Sequence, residues 1–339
     1  MSELYGAVTL SELSRRWDKN QKITQVVNIL NQKNAILDDI VFKPGTTATT
    51  NITTVDTSLP TPSTRKFNQG VPSQHSTKKQ ITDTAAMYSA YCPVDKKLAE
   101  LNGNSVAFFA QENQAFVEGF GQKIAYDIFY ANEKIVPSDF TGFAPRYSKL
   151  STDEENEGYN IIDAGGTESN NTSIWLVNWG TDYVYGFYPA GSKAGFVMED
   201  LGESTQIDIV DGIELRHQVL TTHYMWDIGL TVRNWKSIVR IANIDWPALQ
   251  TTGDPLDSSC NLLKFMQIAT DRVDENTPLQ NAAFYMNPSV RSMLTLKMQD
   301  KGFAQLSMGE LKGRQNILMF NGIPVRSNRC LLKTESRIV

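Results

Sequence analysis

The sequence predicts an α+β protein, and three stretches carry that prediction. Residues 104–132 have the apolar period of one long helix. Residues 172–246 are rich in the aromatic and β-branched side chains that favour strands. Residues 43–84 are threonine-rich, interrupted by prolines and too poor in large apolar side chains to form a core of their own. The expected protein therefore combines helices and strands with one extended segment.

Composition excludes several classes of function. A hydrophobic share of 41% and a charged share of 20% are typical of a core-forming protein. The net charge of −5 gives no sign of a nucleic-acid or anionic-membrane binder. No run of about 18 apolar residues predicts a membrane-spanning helix, and the N-terminus lacks the order of a signal peptide. The odd, widely spaced cysteines (Cys92, Cys260, Cys330) predict buried thiols made in a reducing cytoplasm.

The first 42 residues predict two amphipathic helices. A capping-box pattern at Thr9–Glu12 opens the first, and the second runs from Lys22 to about Asp38. The alternative is an arm that packs on a neighbouring subunit.

The segment 43–84 is basic in an acidic chain. Threonine supplies 12 of the residues from 46 to 84. Its cations outnumber Asp56 and Asp83 and give it a net charge of +3, or +4 if Asp83 is left out; they are Lys43, Arg65, Lys66, Lys78 and Lys79. A flexible solvated loop and an extended β-arm both remain open, because threonine favours strands while long connections are often disordered.

The long helix has one apolar stripe, with most of its charged residues off it. Glu112, Glu118 and Asp127 fall on the other faces. A helix of this length spans roughly 40 Å. Gly119 and Gly121 each cost helix stability, which predicts close packing or a bend there.

Loops and hairpins are predicted after this helix. Residues 135–160 are predicted to be irregular, with the acidic run 153–157 as a solvated face. Residues 174–188 predict a hairpin turning at Gly180–Asp182, and Ile207–Leu215 a second hairpin turning on Asp211 and Gly212. A long strand should follow over 213–225, and another from 228 to 241.

The last eighty residues predict mixed helix and strand. Leu262–Val273 has a helical stripe. Asn287 and Pro288 suit the N-cap and first position of a further helix, with Gly302 as its stop. Short strands are expected on either side of a turn at Asn321–Gly322.

The search for chemistry predicts no catalytic, metal or cofactor site. Gly191–Gly195 has the wrong spacing for a phosphate loop, and no nucleophile elbow occurs. His217 and His223 would lie about 20 Å apart on one strand, too far to share a metal. The cysteines lack metal-ligand spacing. The aromatic residues predict core or interface packing, with stacking on carbohydrate or bases as the alternative.

Ten stretches, in order along nearly the whole chain, resemble the major capsid proteins of podovirus-type tailed bacteriophages. They are Leu59–Gly70, Ile128–Asn132, Phe140–Tyr147, Ile161–Gly166, Asn171–Gly180, Tyr188–Gly195, Trp226–Trp235, Val239–Asp245, Phe284–Arg291 and Asn321–Arg326. The resemblance implies a Hong Kong 97-type capsid fold. It implies an N-terminal arm (1–42), an extended loop (43–84) and a peripheral domain with a spine helix (85–160). A β-rich segment (161–250) of peripheral-domain strands plus an insertion and an axial domain with C-terminal strands (251–339) would follow.

The function implied by the resemblance is self-assembly without catalysis. Pentamers and hexamers would form an icosahedral head that encloses double-stranded DNA without reading its sequence. Scaffolding, portal and decoration proteins are the implied partners, and the virion capsid, made in the host cytoplasm, the implied location, with no membrane and no cofactor. One member of the wider fold cross-links a loop lysine to an asparagine, but nothing around Lys66, Lys78 or Lys79 indicates that chemistry.

The resemblance implies that the extended loop lies on a neighbouring subunit, and a charge match between the basic loop and the acidic helix adds the residues that it would face there. The candidates on the loop are Leu59, Pro60, Arg65, Lys66, Asn68, Gly70, Lys78 and Lys79, and those on the helix are Glu112, Glu118 and Asp127. The alternative function is a β-rich virion protein that binds glycans or decorates the shell.

Overall fold

The computed structural model describes residues 34–97, 105–192, 194–210, 213–252, 261–273, 279–298, 306–311 and 314–339. Its strands are β1 (Phe42–Pro44), β2 (Thr50–Ser58), β3 (Thr77–Asp95), β4 (Ile161–Asp163), β5 (Asn171–Asn178), β6 (Val184–Tyr188), β7 (Val197–Val210), β8 (Ile213–Val232), β9 (Ile238–Asp245), β10 (Ala282–Met286), β11 (Leu306–Leu311), β12 (Arg314–Phe320) and β13 (Ile323–Ser327). Its helices are α1 (Ile36–Asp39), α2 (Ser105–Tyr130), α3 (Phe143–Arg146), α4 (Trp246–Thr252), α5 (Leu262–Arg272) and α6 (Pro288–Met298).

The described strands form two sheets. One has the order β1-β6-β8-β3-β2, with β7 also paired to β8, and the other has the order β11-β12-β13-β10-β5-β9-β4. Backbone contacts divide the chain into two units. Of the described residues, those within 87–124 and 193–228 form the first unit, and those within 34–86, 125–192 and 229–339 form the second. The five-part linear division expected from the sequence stays a prediction.

The first unit is built on the antiparallel pair β7 and β8. Val210 pairs with Ile213, so the predicted second hairpin is confirmed, although its turn residues 211–212 lie outside the described part. An aromatic cluster fills the core, with Phe116 stacked on Tyr224 at a centroid distance of 4.5 Å. Cys92, Val94 and Phe120 complete its buried centre. Phe116 and Phe120 of the predicted stripe of α2 therefore pack into this core.

The second unit places its main core on one face of the seven-stranded sheet. Helices α5 and α6 supply Met266, Ala269, Val290 and Leu294 to it. Aromatic side chains of the second unit pack on the other face of β5, where the Trp175 ring lies 6.0 Å from Phe129 and 5.8 Å from Phe143. The Asn287 side chain caps α6 by accepting a hydrogen bond from the Ser289 amide at 3.1 Å, as its sequence predicted.

The predicted hairpin over 174–188 is wrong. β5 pairs with β9 and β10, whereas β6 pairs with β1 and β8 in the other sheet. All residues of β5 are buried, so its apolar run is that of a central strand covered on both faces. The predicted strand from 228 to 241 is also divided differently. Residues 228–232 form the end of β8, and a 3₁₀ turn at Trp235–Ser237 separates them from β9.

The predictions for the remaining helices and turns fall into three groups. Helices α2, α5 and α6 and the turn between β12 and β13 are confirmed, with Asn321 and Gly322 at φ 48° and 81°. The helices expected before residue 34 and the stop at Gly302 lie outside the described residues. The prediction of close packing at Gly119 is wrong, because a Cβ there would meet no heavy atom within 4 Å.

Candidate functional site: the arm from Lys43 to Thr84

The stem of the arm is a β-ribbon. β2 pairs antiparallel with β3 from Thr50 opposite Thr84 to Asp56 opposite Lys78. The Thr57 and Thr77 hydroxyls lie 2.9 Å apart across it. Cross-strand threonine pairs of this kind support strand pairing. Of the two possibilities left open by the sequence, the β-arm is correct for the stem.

The tip of the arm, residues 59–75, contains no strand and is exposed throughout. Every residue from 56 to 75 is exposed, and the residues between β2 and β3 make no regular structure apart from a turn at Lys66–Gln69. The Gln69 amide donates to the Lys66 carbonyl at 3.2 Å, and Asn68 has φ 61°. The candidates Leu59, Pro60, Arg65, Lys66, Asn68 and Gly70 all lie on this exposed tip.

Buried polar contacts fix the root of the arm in the second unit. The Arg146 guanidinium donates to the Asp83 carboxylate at 2.8 Å and to the Leu230 carbonyl at 3.2 Å. The Asn51 amide donates to the Tyr185 and Thr231 hydroxyls, each at 2.9 Å. Burial makes each of these contacts costly to break, because an unpaired polar group would be left in the interior. The arm therefore has a rigid base and an uncovered end.

The exposed part of the arm is positive. Asp83 is 5% exposed and paired with Arg146, so it does not offset the cations of the tip. Residues 56–79 carry Arg65, Lys66, Lys78 and Lys79 against Asp56, a net charge of +3. Lys78 lies 3.8 Å from Asp56, but both side chains are more than half exposed, so this pair contributes little to stability.

Two of the three acidic candidates on α2 are less exposed than the sequence predicted. Asp127 is 1% exposed, so its placement on an outward face is wrong. The last two turns of α2 are buried on most sides, and a single apolar stripe does not reveal such cover. Glu118 is half-buried and accepts a hydrogen bond from Gln122 at 3.0 Å. The backbone of Glu112 lies in α2, and its side chain is outside the described residues.

One exposed residue of the tip was missed by the sequence reasoning. Phe67 is 99% exposed, more than any other large apolar side chain of the described residues. A signal was present: a lone aromatic residue stood between two cations and the turn residues Asn68–Gly70.

The described residues contain no group of three His, Cys, Asp or Glu side chains placed to hold a metal ion. No helix among them is long and apolar enough to cross a bilayer. The tryptophans do not form an exposed cleft in the described part of the chain. Trp175 and Trp179 are buried, and Trp226, Trp235 and Trp246 are half-buried.

Comparison with known families identifies the family to which the chain belongs. Residues 18–339 match the family described as "Major capsid protein GP7". The chain belongs to this capsid protein family. It is accordingly a major capsid protein of a tailed phage, a structural protein of the icosahedral shell. The glycan-binding alternative is set aside by this match, which covers nearly the whole chain.

A solved structure agrees with the capsid assignment. The chain is similar to the structure of Bacteriophage Epsilon15, with 27% identity and a TM-score of 0.78 over 100% of this chain and 99% of that one. The capsid protein therefore has the predicted α+β, Hong Kong 97-like fold. A capsid chain of bacteriophage JBD30, decorated with minor capsid protein trimers, gives 12% identity and a TM-score of 0.46 over 89% and 92% of the two chains. That likeness is too low to add to the assignment. No curated protein matches the chain in sequence.

Proposed function

We propose that copies of this capsid protein form pentamers and hexamers in which the arm of each copy lies on a neighbouring copy. The main support for this proposal is the exposure of the tip of the arm. Residues 56–75 contact no core of their own chain, while Arg146 and Asn51 hold the root of the arm in place. Ordering such a segment costs conformational entropy, which burial against a neighbour would offset. The site candidates of the tip are thus proposed as contacts between subunits.

Charge supports the same arrangement. The segment 43–84 carries +3 while the whole chain carries −5, so the remaining residues carry −8. A positive arm would therefore be attracted by the net negative charge of a neighbour's remaining residues. Each exposed pair contributes only about 0–1 kcal/mol, but every copy in a shell repeats it.

The rest of the proposal follows from the resemblance to the family. The shell would enclose double-stranded DNA without sequence-specific contacts, and an acidic chain suits that task because a basic lining would hold the DNA in place. Residues 1–42 are assigned to the N-terminal arm, 43–84 to the extended loop and 85–160 to the peripheral domain with its spine helix. Residues 161–250 are assigned to further peripheral-domain strands plus an insertion, and 251–339 to the axial domain and C-terminal strands. Scaffolding, portal and decoration proteins are the proposed partners, with synthesis in the host cytoplasm and no catalytic role.

The test is assembly of the purified chain with its scaffold, followed by negative-stain microscopy. The wild type should give closed shells. Arg65→Glu combined with Lys66→Glu should give folded subunits but few or fragile shells, since it reverses the charge of the tip. Lys134→Glu with Lys264→Glu reverses two exposed charges outside the arm and is the matched control. Wild-type chains that stay monomeric under all conditions would contradict the proposed function. Unchanged assembly of the first variant would remove only its electrostatic part.

A further inference from the structure

Phe67 is a large apolar side chain that is almost fully exposed on the tip of the arm. The turn at Lys66–Gln69 has the i to i+3 hydrogen bond and the positive φ at its third residue that are found in type II turns. This geometry fixes the backbone on both sides of a phenyl ring that is 99% exposed. Burying such a ring is strongly favourable, and large aromatic side chains are frequent anchors at the centre of interfaces.

A cavity of about 310 Å³ opens at the root of the arm in the second unit. Ile81, Val232 and Trp235 form its apolar wall. The rest of the lining is mostly polar and includes Lys79, Gln80, Tyr147 and Glu157. Arg146 also borders it, but its charge is met by Asp83 at 2.8 Å. The volume is in the range of pockets that bind compact apolar groups, and it is ample for one phenyl ring.

One exposed carboxylate, Glu157, lines this cavity, and three more come just before it in the chain. Asp153, Glu154, Glu155 and Glu157 are all exposed, and Glu157 is itself part of the lining. Arg65 and Lys66 directly precede Phe67 in the chain. Phe67, which follows two cations, therefore matches a cavity that has an apolar wall and is lined by Glu157, the last residue of the acidic run 153–157. The described acidic side chains of α2 match less well, because Asp127 is buried and Glu118 is half-buried.

We propose that the tip of one copy seats Phe67 in the cavity lined by Ile81, Val232 and Trp235 of a second copy. Arg65 and Lys66 then face the carboxylates Asp153–Glu155 of that second copy. This inference rests on the proposed function and names the partner surface of the arm. Phe67 and the cavity lie on different surfaces of one chain, so the contact between two copies is head-to-tail. Such contacts close into rings when the rotation between copies permits it.

A charge-exchange experiment tests the electrostatic half. Arg65→Glu with Lys66→Glu should raise the concentration of unassembled subunit at equilibrium by about tenfold, the effect of two weak pairs lost and two repulsions gained. Adding Asp153→Lys, Glu154→Lys and Glu155→Lys to that chain should restore it to near the wild-type value. Adding Glu118→Lys instead is the control and should not restore it. No rescue by the first set, or equal rescue by the control, overturns the seating.

A photochemical experiment tests the anchor itself. A photoreactive benzoylphenylalanine is placed at position 67, shells are assembled and irradiated, and the linked peptides are identified by mass spectrometry. The expected product is a covalent dimer in which position 67 is joined to a peptide around Ile81 or around Val232–Trp235. Links to α2, or no links in intact shells, overturn the proposal. Irradiated, unassembled subunits should give no dimer. Wild-type chains that form no shells would instead contradict the proposed function.

Discussion

At the scale of single residues, the C-terminal segment is held by one buried acid. The Glu335 carboxylate is 2.8 Å from the Arg240 guanidinium and accepts a hydrogen bond from the Tyr130 hydroxyl at 2.5 Å. Arg240 also donates to the Tyr147 carbonyl at 2.7 Å and lies over the Trp175 ring. Burial, and then the nearby Glu335, raise the pKa of Tyr130, so its hydroxyl stays a donor. Every charge in the cluster therefore has a partner.

Removal of that acid should be costly. Glu335→Ala leaves the Arg240 charge buried, and we expect the free energy of unfolding to fall by about 3–5 kcal/mol. The measurement is urea unfolding of the unassembled subunit. Asp182→Ala is the matched control, because the pair of Asp182 with Arg233 is exposed and its loss costs at most about 1 kcal/mol. Equal losses in the two variants would show that burial does not set the cost.

The thiol of Cys330 gives a prediction about pH. Burial, and then the charge of Asp127, raise its pKa to about 11, against about 8.5 for an unfolded thiol. The folded state favours the protonated form, so its stabilising contribution is complete below about pH 8.5 and is lost as the pH rises to about 11. The alkylation rate of a Cys92→Ser, Cys260→Ser chain should have its midpoint near pH 11 when folded and near 8.5 in denaturant.

Asp127→Asn provides the check on the cause of this shift. It removes the second source of the raised pKa, so the folded midpoint should move down while the denatured one stays unchanged. Superimposed profiles for folded and denatured chains would contradict the assignment.

At the scale of elements, the glycines of α2 and of the loop after it have opposite roles. A Cβ at Gly119 would meet nothing within 4 Å, whereas a Cβ at Gly142 would lie 2.6 Å from the Asp127 carbonyl oxygen. Gly119→Ala should stabilise the unassembled subunit by about 1 kcal/mol through helix propensity. Gly142→Ala should destabilise it, because backbone atoms cannot give way easily. Thermal unfolding of both variants measures the signs, and a loss of stability in Gly119→Ala would show that the helix needs its glycine in the isolated subunit.

Local patterns predicted the elements whose environment is local. The stripe of α2, the cap at Asn287 and the turn at Asn321–Gly322 depend on neighbours a few residues away, and all were predicted from the sequence. β5 and β6 were wrongly paired because a run of apolar strand residues does not say which sheet each strand joins. The burial of Asp127 depends on distant chain around the end of α2, which no helical period can show.

At the scale of the whole molecule, the ordered stretches from Leu59–Gly70 to Asn321–Arg326 predicted the fold and the family correctly. The contact candidates divide by environment. Those on the tip are exposed because the arm has no core to join, while Glu118 and Asp127 on α2 are partly or fully buried by the fold around them. The exposure of Phe67 was not predicted, because an aromatic residue is usually expected to pack into a core.

The uncovered tip separates folding from association. Because residues 56–75 add nothing to the interior of their own chain, changes there should leave the unfolding of the subunit untouched. The same changes alter the concentration at which subunits associate, by mass action. Evolution can therefore retune when a shell forms, and how readily it comes apart, without risk to the subunit that builds it.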